Sequence, residues 1–351
     1  MYVSVIIPLF NKARYIGRAL ASVFTQTHQD FEIVVIDDGS TDGSATVVQA
    51  VTDSRLRLIT QPNAGQGAAR DRGMREAHGE AFALLDADDA WGPACLATLT
   101  ALLEEFPAAG IAGVRYAMIE SDGRIVPAQL SGGITETFHG VLPNYYACAL
   151  DDPPLWSSAV IIRRQAWVAI APRYSPARFG EDLYLWSQFA NSCPVAYDGK
   201  ILAFYHRGAE GRVSTTSVDQ EEMPVVTYLI DEVLAGHLTE QRETLLTYLA
   251  KYQFETLYRM GQGAGALERA RAIFRRTPLI RAVTADWQQY RDRLYRGHWW
   301  HYLREPRFLF ETPEQYRWRL LTTLLRPVAR PLEKLLTRQA RHMKRRRAVT
   351  E

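Results

Sequence analysis

AFALLDADDAW, Ala81 to Trp91, decides how the rest of the chain is read. Five apolar residues (Ala81, Phe82, Ala83, Leu84, Leu85) end abruptly in Asp86, Asp88 and Asp89. A short run of this kind reads as a strand buried on both faces, with carboxylates at its C-terminal tip. Open α/β sheets take their ligands beyond the carboxyl ends of the strands. Carboxylates crowded there repel one another, and a divalent cation relieves that repulsion. Oxygen ligands suit Mg²⁺ or Mn²⁺, whose coordination is usually completed by substrate phosphates. The same acids could simply cap a helix beyond Trp91, with Pro93 in its first turn. For an isolated D-x-D that simpler reading is the better one; the flanking sequence reverses the balance.

Outward from this stretch, strands and helices alternate. Val3 to Ile7 is an apolar run stopped by Pro8, and Phe31 to Ile36 is a second that ends in Asp37 and Asp38. Between them Tyr15, Ile16, Ala19, Leu20, Val23 and Phe24 recur at helical spacing. A helix is expected from GSTDGS (Gly39 to Ser44) to about Val51, and a third strand over Leu56 to Ile59. Strand, helix, strand, helix, strand argues for a doubly wound, mostly parallel sheet with flanking helices, which puts Asp37 and Asp38 at the same edge as Asp86. In QPNAGQGAARDRGMREAHG (Gln61 to Gly79), Pro62, Asn63 and Gly65 make a turn. A helix follows, closed by Gly79 at C′. Gly73 inside it costs up to about 1 kcal/mol against alanine, which close approach to the sheet explains. Gly65 and Gly67 match neither phosphate-binding fingerprint and are read as turn glycines.

Further on, Cys95 to Phe106 is an amphipathic helix, Ile111 to Met118 a strand, and Ser121-Asp122-Gly123 a hairpin-like turn. The loop-rich stretch to about Leu155 is where specificity is expected. Strands are expected at Ser158 to Ile162 and Ile201 to Tyr205, with a helix from about Glu181 between them. Glu181 and Asp182 in its first turn meet the helix dipole favourably, which alone would account for them. From Ser217 the chain turns helical, over 227–235, 239–260 and 266–275, and aromatic and basic residues interleave from Trp287 to Trp318. The expected division is therefore 1–216, an α/β domain, and 217–351, a helical C-terminal region. Residues 326–347 hold nine Lys or Arg against the single acid Glu333, beside an apolar stripe from Leu320 to Leu336. Such a segment suits an anionic membrane surface through 320–347, or equally a helix docked on the protein's own body.

Composition narrows the class. A net charge of +2 over 351 residues gives the chain no general affinity for nucleic acid. Cys95, Cys148 and Cys193 lack metal-ligand spacing, which fits reduced thiols and a cytoplasmic setting. No apolar run approaches the ~18 residues of a membrane span, and Tyr2 to Pro8 already reads as strand rather than leader.

In order and spacing, VSVIIPLFNKARYIGRALASVFTQT, FEIVVIDDGSTDGS and QPNAGQGAARDRGMREAHGEAFALLDADDAW closely resemble the inverting family 2 glycosyltransferases of GT-A fold. The resemblance is dense over residues 3–115, thinner to about 215 and absent beyond. It implies transfer of a sugar from a nucleotide sugar to an acceptor hydroxyl, usually with Mn²⁺ or Mg²⁺. By position, Pro8, Phe10 and their neighbours line the nucleotide pocket, Asp38 reads the uracil edge, and Asp37 lies beside it. Arg70 sits near the donor. Asp86 and Asp88 are the D-x-D acids, Asp86 toward the ribose or sugar with Ala87 between them, and Asp88 toward the metal. Glu181-Asp182 matches the E-D pair, with Asp182 the general base. His206 and Arg207 match a polar pair near diphosphate or metal. Trp91 and Trp156 are candidate acceptor contacts alongside Glu181, with buried packing the alternative for each indole. Asp71 departs from the asparagine common after the arginine.

The chemistry is coherent on its own terms. A diphosphate leaves well once its developing charge is neutralised. An acceptor hydroxyl attacks well once a carboxylate takes its proton, help worth ~10²–10⁴-fold. Expected partners are a nucleotide-sugar donor, probed first as a UDP-sugar, and a glycan or lipid-linked acceptor in bacterial surface polysaccharide synthesis. The expected location is the cytoplasm, peripheral to the inner membrane face. Two other classes compete: a nucleotidyltransferase, although Pro8 to Arg14 lacks the glycines of a triphosphate loop, and a non-catalytic nucleotide-sugar-binding protein at a membrane surface.

Overall fold

The structure is a computed structural model that describes residues 1–172, 174, 180–210 and 223–235, together with 244, 245, 248, 249 and 252. These all belong to the first of two compact units, Met1–Thr256 and Leu257–Glu351. The boundary expected at 216/217, the helix over 266–275, the aromatic stretch 287–318 and the basic segment 320–347 lie outside the described residues. So does most of the helix expected over 239–260, whose five described positions are helical.

The first half follows the hydrophobic pattern closely. Strands β1 (Val3–Leu9), β2 (Phe31–Asp37) and β4 (Ala81–Leu84) are buried at every position. β3 (Leu56–Thr60) joins them at the edge, and β3-β2-β1-β4 run parallel. Helices α1 (Ile16–Phe24), α2 (Ser44–Gln49) and α3 (Gln66–Glu76) form the crossovers. On one face of the sheet, Ile16, Ala19, Leu20 and Val23 of α1 join Val3, Val5 and Ile7 of β1 in the core. On the other, α3 comes in so close that a Cβ on Gly73 would stand 2.4 Å from Ile6 Cγ2. The helix glycine is therefore required by contact with the sheet, as expected. Gly79 is a correction. It does not cap α3, whose last residue is Glu76. Its Cβ would meet the Ser4 nitrogen at 2.5 Å, so it is there to let the chain cross β1.

The second half mixes directions. β5 (Ala90–Trp91), α4 (Cys95–Glu105), β6 (Ile111–Ile119), β7 (Ile125–Pro127), β8 (His139–Val141), α5 (Tyr145–Cys148), β9 (Val160–Arg163), α6 (Arg164–Ile170), α7 (Glu181–Ser192), β10 (Val195–His206) and α8 (Pro224–Leu234) follow in order. The sheet reads β3-β2-β1-β4-β9-β6-β10-β5, with β7 on β6 and β8 on β10. β9 lies antiparallel between β4 and β6, while β6 and β10 are parallel to each other. Because β9 runs backwards, its first residues meet the last of β4, in the register Leu84↔Val160. The chain thus leaves β6 at the edge where β1, β2 and β4 end and re-enters β9 at that same edge. In between it reaches the opposite edge, where β8 pairs with the start of β10. His139 is held there between Asp198 Oδ2 and Glu105 Oε2, each at 2.9 Å.

β10 begins at Val195, six residues before the expected strand at Ile201. Its pairing with β6 is irregular between Asp198 and Ala203, and that break hides the first half from a period-2 reading. Gly199 marks the spot: a Cβ there would stand 1.8 Å from the Thr135 carbonyl oxygen.

Candidate active site

β1, β2, β4, β6 and β10 all end at one edge of the sheet, and the acids are there. Beyond β1 and β2, two loops are stitched together. The N–H groups of Asn11, Lys12 and Ala13 donate to Ser40 Oγ (3.0 Å), Ser44 Oγ (2.8 Å) and Asp42 Oδ2 (3.0 Å). Asn11 adopts a left-handed φ of 51° and returns an acceptor, Oδ1, to the N–H of Thr41 at 2.8 Å. Asn tolerates that conformation better than most residues, which is why it stands there. Pro8 is buried beneath this loop and Phe10, 46% exposed, stands open on it.

Asp37 and Asp38 are both buried. Asp37 accepts from the Ser40 N–H at 3.1 Å. Asp38 Oδ1 accepts from Gln61 Nε2 (2.7 Å) and the Ala64 N–H (2.9 Å), and Oδ2 from the Gly65 N–H (2.8 Å). The resemblance makes Asp38 the reader of a base edge. In the structure its carboxylate holds the 61–65 turn against β2. Gly65, with φ 93°, is the turn glycine the sequence indicated.

The Asp86–Asp89 loop is anchored from three sides. Asp86 Oδ1 accepts from Arg70 Nη2 (2.7 Å) and Gln66 Nε2 (2.9 Å). Asp88 Oδ2 lies 2.7 Å from Lys12 Nζ, and the Asp88 carbonyl accepts from Arg18. Asp89 is buried and does not face the site. It accepts from Ser158 Oγ (2.5 Å) and from the His206 N–H (3.1 Å), and burial followed by repulsion from Asp86 and Asp88 pushes its pKa well up. Ser158 Oγ also accepts the Asp86 N–H at 3.0 Å. One hydroxyl thus ties together both ends of the acidic loop. Ala87 is buried between the two exposed-side acids.

Arg70 joins this loop to α7. It is only 2% exposed, and its guanidinium reaches Asp86 Oδ1 at 2.7 Å and Glu181 Oε1 at 3.4 Å. Burial alone would lower its pKa, but Asp86, Tyr174 and Glu181 reverse that and raise it. Glu181 is pushed up to about 7 by burial and by Asp182, with Arg70 opposing. Asp182 is raised as well, chiefly by burial, against Arg70 and the Leu183 N–H that donates to its Oδ1 at 2.8 Å. Side by side they titrate as a pair. A carboxylate lifted toward neutrality is what a general base requires.

The remaining candidates separate. His206 lies at the end of β10 and its pKa is lowered, first by burial and then by Arg18. With Nδ1 donating to the Phe204 carbonyl at 3.3 Å, Nε2 keeps its lone pair. Arg207 is turned away, 2.9 Å from Glu120 at the end of β6, so the structure does not bring it to the acidic loop. Trp91 is a correction: at 4% exposure, with Nε1 donating to the Ser158 carbonyl at 2.6 Å, it is a core residue with no face for an acceptor. Trp156 is stacked with Tyr116 (centroids 5.5 Å apart) and tilted against Tyr205 (4.6 Å). Aromatic packing is therefore what the structure shows for it.

Among the described residues no three His, Cys, Asp or Glu side chains converge as a metal site. Asp88, close enough to His206 for its charge to act on the imidazole, offers a partial donor set of the kind that phosphate oxygens complete around Mg²⁺ or Mn²⁺. The donor chemistry thus fits such an ion. Lys12, Arg18, Gln66 and Ser158 were missed by the sequence reading. Lys12 alone carried a signal, as a cation three residues beyond the end of β1.

A sheet of this order, with acids at its carboxyl edge and a carboxylate pair opening the helix opposite, defines a glycosyltransferase of GT-A type. The model of the family described as Glycosyl transferase family 2 matches residues 4–166. An uncharacterized glycosyltransferase of Nostoc sp., alr2836, is 35% identical over 239 residues, covering 63% of this chain and 70% of that protein. The glycosyltransferase GlyA of Streptococcus pneumoniae is 29% identical over 61% of this chain, which spans only 32% of GlyA. In three dimensions the chain is similar to S. aureus TarS 1-349 in complex with UDP-GlcNAc, with TM-score 0.60 and 22% identity over 78% of this chain and 83% of that one. The chain belongs to glycosyl transferase family 2.

Proposed function

We propose that the protein transfers a hexosyl or N-acetylhexosaminyl group from a UDP-sugar to an acceptor hydroxyl, with inversion, and that Asp182 is the general base. The observation that carries this is the Arg70 bridge. It holds the D-x-D loop and the α7 carboxylates in one buried cluster, with Glu181 and Asp182 both raised. The donor's base lies against Phe10 and the 61–65 turn, and its diphosphate points toward Asp88. Asp88 would hold a divalent cation, whose charge would neutralise the departing diphosphate. Asp86, fixed by Arg70 and Gln66, orients the ribose or sugar. Asp182 takes the acceptor's proton as its oxygen attacks opposite the leaving group, so no sugar–enzyme bond is formed. The UDP preference is supported by the likeness to a fold solved with UDP-GlcNAc. The acceptor is a surface polysaccharide or lipid-linked glycan, met by the 121–155 excursion, and 320–347 holds the protein at an anionic membrane surface in the cytoplasm.

Asp182→Asn is the test. It should bind UDP in calorimetry as the parent does, yet transfer sugar ~10²–10⁴-fold more slowly. Transfer at the parental rate removes Asp182 from the base role. Titrating UDP, GDP and TDP with and without Mn²⁺ tests the donor: binding of UDP alone, and with metal alone, is the expected pattern.

A further inference from the structure

Lys12 has no part in the roles assigned above, yet it touches the acid at their centre. Its Nζ is 2.7 Å from Asp88 Oδ2, and the two side chains are only 12% and 14% exposed. The same nitrogen donates to the Glu210 carbonyl at 2.8 Å and lies 5.8 Å from the centre of the Tyr15 ring. Nor is this a surface lysine in chance contact with an acid. The N–H of Lys12 itself is fixed by Ser44 Oγ, and its neighbours by Ser40 and Asp42. On the other side, Arg18 grips the Asp88 carbonyl. Both partners of the pair are therefore set in place by their backbones.

We propose that Lys12 is the resident counter-ion of Asp88, and that its ammonium and a divalent cation are mutually exclusive partners of that carboxylate. This rests on the reading that the cation binds at Asp88. An ammonium in contact with a shielded carboxylate satisfies most of its charge, so an incoming ion must first displace it. Asp88 is the one acid of the loop so occupied: Asp86 faces Arg70, and Asp89 faces Ser158 and the His206 N–H. With a lysine already on its single carboxylate, the nucleotide-free protein holds a divalent ion weakly. It loads when the donor's phosphates arrive to share the coordination. The lysine thereby couples metal occupancy to donor occupancy, and keeps the acidic loop neutralised between turnovers.

The experiment is calorimetric titration of Mn²⁺ alone into the full-length, nucleotide-free protein, comparing the parent with Lys12→Gln, Lys12→Met, Lys12→Arg and Lys12→Gln/Asp88→Asn. Thermal unfolding checks that each is folded, and the two neutral variants guard against one failing to fold. The two neutral variants are expected to bind Mn²⁺ about tenfold or more tightly than the parent. Lys12→Arg should bind like the parent, and the double variant should lose the gain. Equal Mn²⁺ affinity in the parent and the neutral variants, with all of them loading Mn²⁺ beside UDP, overturns the role of Lys12 and leaves the metal reading standing. A gain that survives Asp88→Asn also overturns it, since the ion would then sit elsewhere. Absence of Mn²⁺ binding in every form, with or without UDP, removes the metal reading and this inference together.

Discussion

At the tips of β1 and β2, Asp37, Asp38, Ser40, Asp42 and Ser44 are each matched to backbone N–H groups of neighbouring loops. Across the site, Asp86, Glu181 and Asp182 crowd around one buried guanidinium, and two of the three are pushed toward their protonated forms. The first region has its polar groups satisfied from within and is shaped before any ligand arrives. In the second, charge is concentrated and incompletely balanced, which is the condition under which a proton or a cation can be exchanged. A transferase needs both: a firm cradle for the part of the donor that does not react, and an electrostatically unsettled wall for the part that does.

The contrast breaks most severely at Arg70. Arg70→Met leaves Asp86 and Glu181 shielded without their cation, and breaking a buried pair from one side costs ~3–5 kcal/mol. The expected result is a large fall in denaturation midpoint together with loss of transfer. A variant as stable as the parent would mean that Arg70 does not hold the two regions together. The pH dependence sharpens the contrast. With Asp182 the proposed base and its carboxyl raised chiefly by burial, kcat/KM should rise with pH above the ordinary carboxylate range, tenfold per unit on the acid side. Stability should move the other way. A carboxyl raised from 4.5 to about 7 on folding favours the folded state while protonated, a contribution complete below pH 4.5 and lost as the pH climbs to 7. A pH–rate profile flat from 5 to 8 would contradict this assignment. The smallest effect lies in the cradle. Ser44→Ala removes two hydrogen bonds, the one its hydroxyl accepts from the Lys12 N–H and the one it donates to Asp42 Oδ1, each worth ~0.5–1.5 kcal/mol. It should weaken nucleotide binding modestly in calorimetry while leaving kcat at saturating donor near the parental value.

Legibility in the sequence followed the same division. β1, β2 and β4 were plain because strands buried on both faces are written as unbroken apolar runs. Their acids were plain because a parallel arrangement brings successive C-terminal tips to one edge. Gly73 announced a close contact, since only proline costs a helix interior more and a glycine there needs a reason. Strand direction, in contrast, leaves no trace in such a run. Nothing in Val160–Arg163 says that it lies antiparallel beside β4, yet that reversal alone brings Ser158 to Asp86 and Asp89. The start of β10 was hidden by irregular pairing, and Gly79 passed for a helix cap because both a cap and a close crossing select glycine. The resemblance to the family singled out Asp38, Asp86 and Glu181, and the structure places Asp38 and Asp86 just beyond β2 and β4 and links Glu181 to Asp86 through Arg70. The resemblance was silent on what each touches, because a hydrogen bond from Asp38 to a turn and one to a ligand impose the same residue type. Lys12 and Arg18 went unread for a related reason: a lysine or arginine in a helical or loop stretch has many solvated uses, and only three-dimensional proximity selects this one.

The reversed strand has one more consequence. Since the chain departs from β6 and returns through β9 at the same edge, residues 120–159 form an excursion with both ends fastened beside the acids. Length or composition can change within it while β1, β2 and β4 keep their registers and the acids at their tips keep their spacing. The fold is in this sense a fixed socket with an interchangeable fitting: the parallel half holds its acids at one edge, and the excursion fastened beside them is free to vary.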